Sequence, residues 1–539
     1  MEKFLIKEWT SKLQVKSNCE YIFERGRYEI TAEMTHERFL FVSNNDSGKR
    51  QVALLLQDLE NVTLDFSGSV LLFKGRISPF VAESCRGVTL KNCVIEYDRP
   101  FFTCGEILAH GADYAELSIN QEKYPYRIEN GTIVAYGAYW EQKLCEGINL
   151  FLEMDKTRKR PAYNAAVILP LIGDRVERHP QPPIPQVIWR IEETSRGTLL
   201  LKGDMSFLTG NNRFVITHEP RMNSIITAID CADVHIENVT IRDGGSMGVI
   251  CQCCENVHLD GVQIYARDEQ DYLCSINCDA THFVNCRGKV HIENCRFDNM
   301  MDDGCNVHGI YTKVTEVETN EIVVELQHFQ QLGVPLYRVG DVVEITSPDV
   351  ISYKKQAKVI AASMLDERQI RLTLDELPEG VQTGYIADNS TAFPELHMHD
   401  CRMGDNRPRG VLITTNKKAV VENCLFYNSD AGVSINGDNS FWWEATAVRD
   451  VTVRNNIFDN CGYHCSDFSI VIFADIEANK EIKDYHRNIK IMDNKFITFT
   501  GTCAYVRNCQ NFIFEGNTMI KSEEYPIRRA LREVEGSWS

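Results

Sequence analysis

A short string of the form V-x-I-x-N-x-x-I/F recurs along the chain, with apolar residues alternating on both sides of an asparagine or glycine. The copies are VTLKNCVI at Val88, VHIENVTI at Val234, VHLDGVQI at Val257, VHIENCRF at Val290, VTVRNNIF at Val451, IKIMDNKF at Ile489 and FIFEGNTM at Phe512. A looser copy, AVVENCLF, starts at Ala419. A period of two marks a strand with one buried face, and Asn or Gly accepts a bent or left-handed backbone. Each copy therefore reads as strand, corner, strand. Starting positions 234 and 257 differ by 23, as do 489 and 512, so the repeat is a coil of that length carrying loops of variable size.

Such units cannot bury their apolar faces alone, but stacking pairs each strand with its equivalent in the next coil. The predicted fold is all-β: a right-handed parallel β-helix, or solenoid. A propeller or sandwich would need regularly spaced hairpin turns, which are not seen. Two stretches lack the corner string. Residues 108–222 carry QVIWRIEE and GTLLLKG, and residues 311–393 carry KVTEVETNEIVVELQ, GDVVEITSP and RQIRLTLDELP. Both read as small antiparallel β-barrels inserted between coils, placed to wall off a groove. The expected organisation is helix coils over 1–107, a barrel over 108–222, central coils over 223–310, a second barrel over 311–393, and terminal coils with a tail over 394–539.

The chain has 539 residues, 43% hydrophobic and 25% charged, which excludes global disorder. Its 76 acidic residues outnumber 57 basic ones, and the net charge of −19 repels nucleic acid and anionic membrane. The N-terminus MEKFLIKEWTSKLQ shows no signal-peptide pattern and no apolar run is long enough to span a bilayer, so a cytoplasmic location is expected. Of the 20 cysteines, Cys93, Cys295 and Cys424 sit at apolar strand positions and read as reduced core residues. The group Cys231, Cys251, Cys253 and Cys254 lacks the paired two-residue gaps of a zinc site, so no metal and no cofactor are expected. Oligomeric state is left open, a homo-oligomer included.

The segment CDATHFVNCRGKVHIENCRFDNMMDDGCNVHG, 278–309, concentrates chemically capable groups. Asp279 and Asp302 are 23 residues apart, one coil, which stacks them at about 4.8 Å on the outer face beside Asp303. Carboxylates so close cannot all ionise, so one should retain a proton near neutral pH. A proton donor beside an ionised carboxylate that activates water, or attacks directly, is what glycoside hydrolysis requires. An Asp pair before Gly is also common at solvated turns; the one-coil spacing and the nearby Asn306 and His308 favour a site. Farther on, GDNRPRGVLITT and SINGDNSFWWEAT follow the second barrel. Arg409 is placed to brace a carboxylate or bind hydroxyls, and Asp438 and Glu444 to reach hydroxyls. Trp442 and Trp443 should face opposite ways on a strand, leaving Trp443 to cover a sugar ring.

MDDGCNVHG, CDATHF, RPRGVLITT and GDNSFWWE together resemble glycoside hydrolase family 110, the inverting α-1,3-galactosidases, over most of the chain. The resemblance implies release of terminal α-1,3-linked galactose from blood-group-B-type or linear glycans. The acids are also similar to those of polygalacturonases, which implies Asp302 as general acid and Asp279 with Asp303 as the water-activating pair. The expected substrate-binding residues are Asn306, His308, Arg409, Asp438, Trp443 and Glu444. A spacing near 5 Å is nearer that of retaining enzymes, so the inverting expectation rests on resemblance alone. Competing readings are another β-helix carbohydrate enzyme, a polygalacturonase or uronate lyase, and a noncatalytic glycan-binding solenoid.

Overall fold

Along Ala232–Ile241 the side chains of Val234, Ile236, Val239 and Ile241 are buried, while Asp233 before them and Asn238 between them are exposed. Asn238 sits at φ 51°, the left-handed corner that the repeat requires. The equivalent corners at Asn92, Asn294, Asn423 and Asn455 are also left-handed, and at Gly261 and Gly516 a glycine takes the same conformation. The computed structural model describes all residues except 11–12, 145–148, 173–184, 220, 349–353, 465, 476–483, 528–531 and 539.

The repeats stack in parallel register. Val88 pairs with Val234, Val234 with Val257, and Val257 with Val290. Val290 then pairs with Leu396, Leu396 with Ala419, Ala419 with Val451, Val451 with Ile489, and Ile489 with Phe512. Every copy of the string is thus one rung of a parallel β-helix, whose 32 described strands form one sheet. The rung at Leu396 escaped the motif because LHMHDCRM holds neither Asn nor Gly: Asp400, at φ 53°, turns its corner, as Asp493 does in IKIMDNKF, where Asn494 follows. Apolar residues from all these coils form one continuous core, with Phe426, Phe458 and Phe496 stacked at 5.1 and 4.9 Å along its length. All 18 described cysteines are buried and free.

Two closed barrels interrupt the helix. The first contains seven strands, from Phe102–His110 to Arg213–Thr217, and the second six, from Thr312–Val317 to Ile386–Asn389. One expectation needs correcting. The first barrel is not wholly antiparallel, since Val167–Ile172 runs parallel to Gln186–Ser195. Position 108 also lies inside Phe102–His110, so that strand carries the chain out of the helix and into the barrel.

Candidate active site

Strand Thr281–Val284 lies parallel to Cys305–Ile310 with Thr281 opposite Cys305, a coil of 305 − 281 = 24 residues. Asp279 therefore stacks on Asp303, not on Asp302 as a coil of 23 required. The one-residue difference moves the partner from the first acid of the pair to the second. The ladder continues: Ala280 N–H donates to Asp303 O at 2.9 Å, and Gly304 N–H to Arg409 O at 3.0 Å. Asp279, Asp303 and Arg409 so occupy equivalent positions on three successive rungs. Gly304 is required by close approach, because a Cβ there would lie 2.7 Å from Gly410 O. The DDG string is therefore packed coil and not a solvated turn.

All three acids are buried, with Asp279 4%, Asp302 8% and Asp303 1% exposed, and one oxygen of each lies within 4.8 Å of the others. They were expected on an open outer face; loops from four parts of the chain cover them. Asn44 N–H donates to Gln330 O at 2.7 Å, Gln330 Nε2 to Asp46 Oδ1 at 2.8 Å, and Gln331 Nε2 to Trp442 O at 2.7 Å. Asp46 N–H reaches Arg221 O at 2.7 Å. The second barrel thus contributes a wall through residues 328–331, and the chain leaving the first barrel contributes Arg221.

Each acid has a different environment. Asp303 accepts from Arg409 Nε at 2.9 Å and Nη2 at 2.8 Å, a bidentate pair. Burial nevertheless pushes its carboxyl up to about 7 against that guanidinium. Asp302 pairs with Arg221 and, at 3.3 Å, with Arg407. Asp279 is pushed up to about 8 by burial first and then by the charge of Asp302, opposed by Arg221.

The partners of Asp279 indicate where a proton sits. His308 Nδ1 lies 2.6 Å from Gly309 O, a carbonyl that can only accept, so Nδ1 carries hydrogen. A neutral His308 then accepts at Nε2 from His282 Nε2, 2.8 Å away. His282, whose pKa burial lowers to about 4, is neutral too, so its Nδ1 has a lone pair facing Asp279 Oδ2 at 2.7 Å. That contact is a hydrogen bond when Asp279 is protonated. The chain from Asp279 through both rings to Gly309 O is satisfied throughout with one proton on the carboxyl.

Glu444 closes the opposite side. Its Oε1 accepts from Asn44 Nδ2 at 2.9 Å and lies 3.7 Å from His308 Nε2, while Asn306 Nδ2 is 3.4 Å from both its oxygens. Asn306 Oδ1 is buried without a protein partner, an acceptor free for a ligand hydroxyl. The three aspartates are close enough to surround a cation, but Arg221, Arg407 and Arg409 already supply three positive charges to them.

Residues 105–209 match the GLAA-B beta-barrel domain I, 321–386 the GLAA-B beta-barrel domain II, and 383–528 the right handed beta helix region. Alpha-1,3-galactosidase A of Shewanella woodyi is 31% identical over 515 residues, spanning 94% of this chain and 81% of that protein. The chain belongs to the α-1,3-galactosidase family. Alpha-1,3-galactosidase B of Bacteroides thetaiotaomicron is 27% identical with the same coverage of both proteins, and alpha-1,3-galactosidase A of Bacteroides fragilis is 24% identical over 93% of this chain and 82% of its own length.

Within this family member, two of the residues expected to contact substrate have other work. Asp438 Oδ1 accepts from Ser440 N–H at 2.6 Å, Ser440 Oγ at 2.8 Å and Phe441 N–H at 3.0 Å, and Oδ2 from Trp442 N–H at 2.5 Å. Both oxygens are spent on folding the loop that presents Trp442 and Glu444. Trp443 is not in a strand; at φ 59° it turns away to pack with Tyr311, Phe393 and Tyr485. The ring beside the acids is Trp442, 5.5 Å from the Arg221 guanidinium and 4.8 Å from the His328 ring. His308 is fully buried and braces His282. Sequence reasoning missed Arg221, Arg407, His282 and Asn44. His282 and Arg407 lay inside the quoted strings CDATHF and RPRG, the first three residues after Asp279 and the second two before Arg409. Arg221 and Asn44 carry no local signal, because folding alone brings them to the coils.

Proposed function

We propose that the protein is an exo-acting glycoside hydrolase that releases terminal α-1,3-linked galactose from oligosaccharides or glycoconjugates, blood-group-B-type, linear or both, by single displacement with inversion. The carrying observation is the group of three buried aspartates with oxygens within 4.8 Å, one of them in hydrogen-bond contact with a buried histidine ring. The names of the relatives, alpha-1,3-galactosidases over nearly the whole chain, support the linkage and the sugar. Walls formed by residues 43–46, 328–331 and 438–444 suit a site that takes a chain end. Asn306 Oδ1 and the Trp442 ring supply an acceptor and an aromatic surface for a sugar.

In the proposed mechanism Asp302 protonates the departing oxygen while the stacked pair Asp279 and Asp303 activates water. Arg409 keeps Asp303 available as a base, and His282, braced by His308, shares a hydrogen bond with Asp279. A second allocation is favoured by the ion pairs of Asp302 and by the ring chain. There Asp279 is the donor, and Asp302 and Asp303 are the ionised partners.

Aryl galactosides separate the two. The variant lacking the donor keeps turnover of a substrate with a strongly acidic phenol leaving group while losing a disaccharide; a variant lacking the base loses both. Retention by Asp302→Asn supports the first allocation and retention by Asp279→Asn the second. A panel of branched and linear α-galactosides scored for free galactose tests the activity itself, and absence of galactose from every member rejects it. Proton NMR tests the stereochemistry: β-galactose as first product supports inversion, and α-galactose first would remove it. Oxygens closer than the roughly 6.5–9.5 Å gap of many inverting enzymes make that measurement decisive.

A further inference from the structure

On the outer face of the helix, away from the acids, four successive rungs place His235, His258, His291 and His397 in register. The rings of His258 and His291 stack at 4.8 Å and those of His291 and His397 at 5.2 Å. Filling this surface does not require histidine: the same position on flanking rungs holds Thr89, Val420, Thr452 and Lys490. Two residues along, Glu293 stands opposite His399.

These side chains converge. His291 Nε2 is 3.0 Å from His399 Nε2, and Glu293 Oε2 is 3.6 Å from the same nitrogen. His291, His397 and His399 each offer a ligand atom within 4.8 Å of the others, and so do His258, His291 and Glu293. Tetrahedral zinc with Zn–N near 2.0–2.1 Å spaces neighbouring ligand atoms about 3.3 Å apart, a value that 3.0 and 3.6 Å bracket. Asp400 Oδ2 accepts from His399 Nδ1 at 2.7 Å, which leaves the lone pair on Nε2, the atom aimed at His291 and Glu293. A carboxylate behind a ring nitrogen is the usual support of a metal-binding histidine.

We propose that His291, His397 and His399, with Glu293 as fourth donor, form a binding site for a divalent transition-metal ion of the zinc or copper class, separate from the aspartates. The ion would join Arg287–Glu293 to Glu395–His399, strands that are neighbours in the sheet but have the whole second barrel between them in sequence. Its physical effect is to clip the two coils at the base of that insertion, stabilising the native state by mass action.

Calorimetric titration of tag-free, full-length protein with zinc chloride alone tests this. One zinc per chain is expected, with Kd at or below about 10 μM. His399→Ala weakens it at least tenfold, Glu293→Gln and Asp400→Asn several-fold to tenfold, and Asp303→Asn leaves it unchanged. Zinc should also raise the Tm of the parent and not that of a His291→Ala, His399→Ala double variant. Circular dichroism checks that the variants fold; if the double variant does not, the Glu293→Gln and Asp400→Asn affinities decide. Absence of saturable binding, affinity unchanged in the histidine and Glu293 variants, or loss of binding in Asp303→Asn would each overturn the proposal.

Discussion

Replacing Asp279 with asparagine removes a titrating group while keeping the hydrogen bond to His282, because the amide N–H can donate to Nδ1 as the protonated carboxyl does. The variant should lose hydrolysis yet be the more stable protein at alkaline pH. The sign follows from the shift. Asp279 titrates at about 8 when folded, above an unfolded value of about 3.9, so between these the folded state holds a proton that the unfolded state has lost. The stabilisation is fully present below about pH 4 and is lost as pH rises through about 8. At pH 7 the carboxyl is disfavoured relative to the unfolded chain by up to about 3 pKa units, or about 4 kcal/mol. Asp303, whose carboxyl burial also pushes up, shares that cost, leaving about 2 kcal/mol for the amide to recover. For 539 residues unfolding together, about 1 kcal/mol corresponds to about 1 °C. Scanning fluorimetry at pH 8 should therefore show Asp279→Asn melting about 2 °C above the parent, with the difference shrinking towards pH 5. Equal gains at both pH values, or a loss at pH 8, would show that charge at residue 279 is not what the fold works against.

Arg409→Met removes the bidentate guanidinium from Asp303, whose carboxyl then rises at least a further unit above about 7; the acid limb of kcat/KM should move up by as much, with about tenfold less activity at pH 7 and partial recovery near pH 9. An unmoved limb would deny Asp303 its role. Trp442→Ala leaves the Arg221 guanidinium without its ring and should lower kcat/KM about tenfold, mostly through KM in steady-state assays, with Tm little changed. Phe458→Ala empties the middle of the phenylalanine stack and should destabilise the helix by about 3–5 kcal/mol, read as a lowered Tm and faster unfolding in denaturant.

Much of the fold was legible because a parallel β-helix repeats one physical requirement: an apolar face on each strand and a left-handed corner between strands. Asn92, Asn238 and Gly261 advertise that corner, so the register of Val88, Val234 and Val257 could be read directly. The rung at Leu396 was hidden because its corner is Asp400 with no Asn or Gly beside it, whereas Asn494 follows the Asp493 corner. Inside the first barrel, alternation marks the strands but says nothing of direction, and one parallel pair went unseen. The acids were legible for the same reason as the coils, since consecutive rungs must bring 279 near 302 and 303. Choosing between 302 and 303 needed the length of one particular coil, which loops vary. The remainder of the site is tertiary. Arg221 arrives from the end of one barrel, Asn44 from an early loop, and Trp442 replaces Trp443 because Asp438 folds its loop out of the strand geometry that adjacent tryptophans suggested.

The role of the buried acids is tested most directly by initial rates of galactose release from a linear α-1,3-galactobioside by Asp303→Asn and the parent protein, since both allocations of proton donor make Asp303 a water-activating carboxylate. A rate reduced by at least about a thousandfold in a variant with parental circular dichroism is predicted. Release within a few-fold of the parent rate would contradict the account.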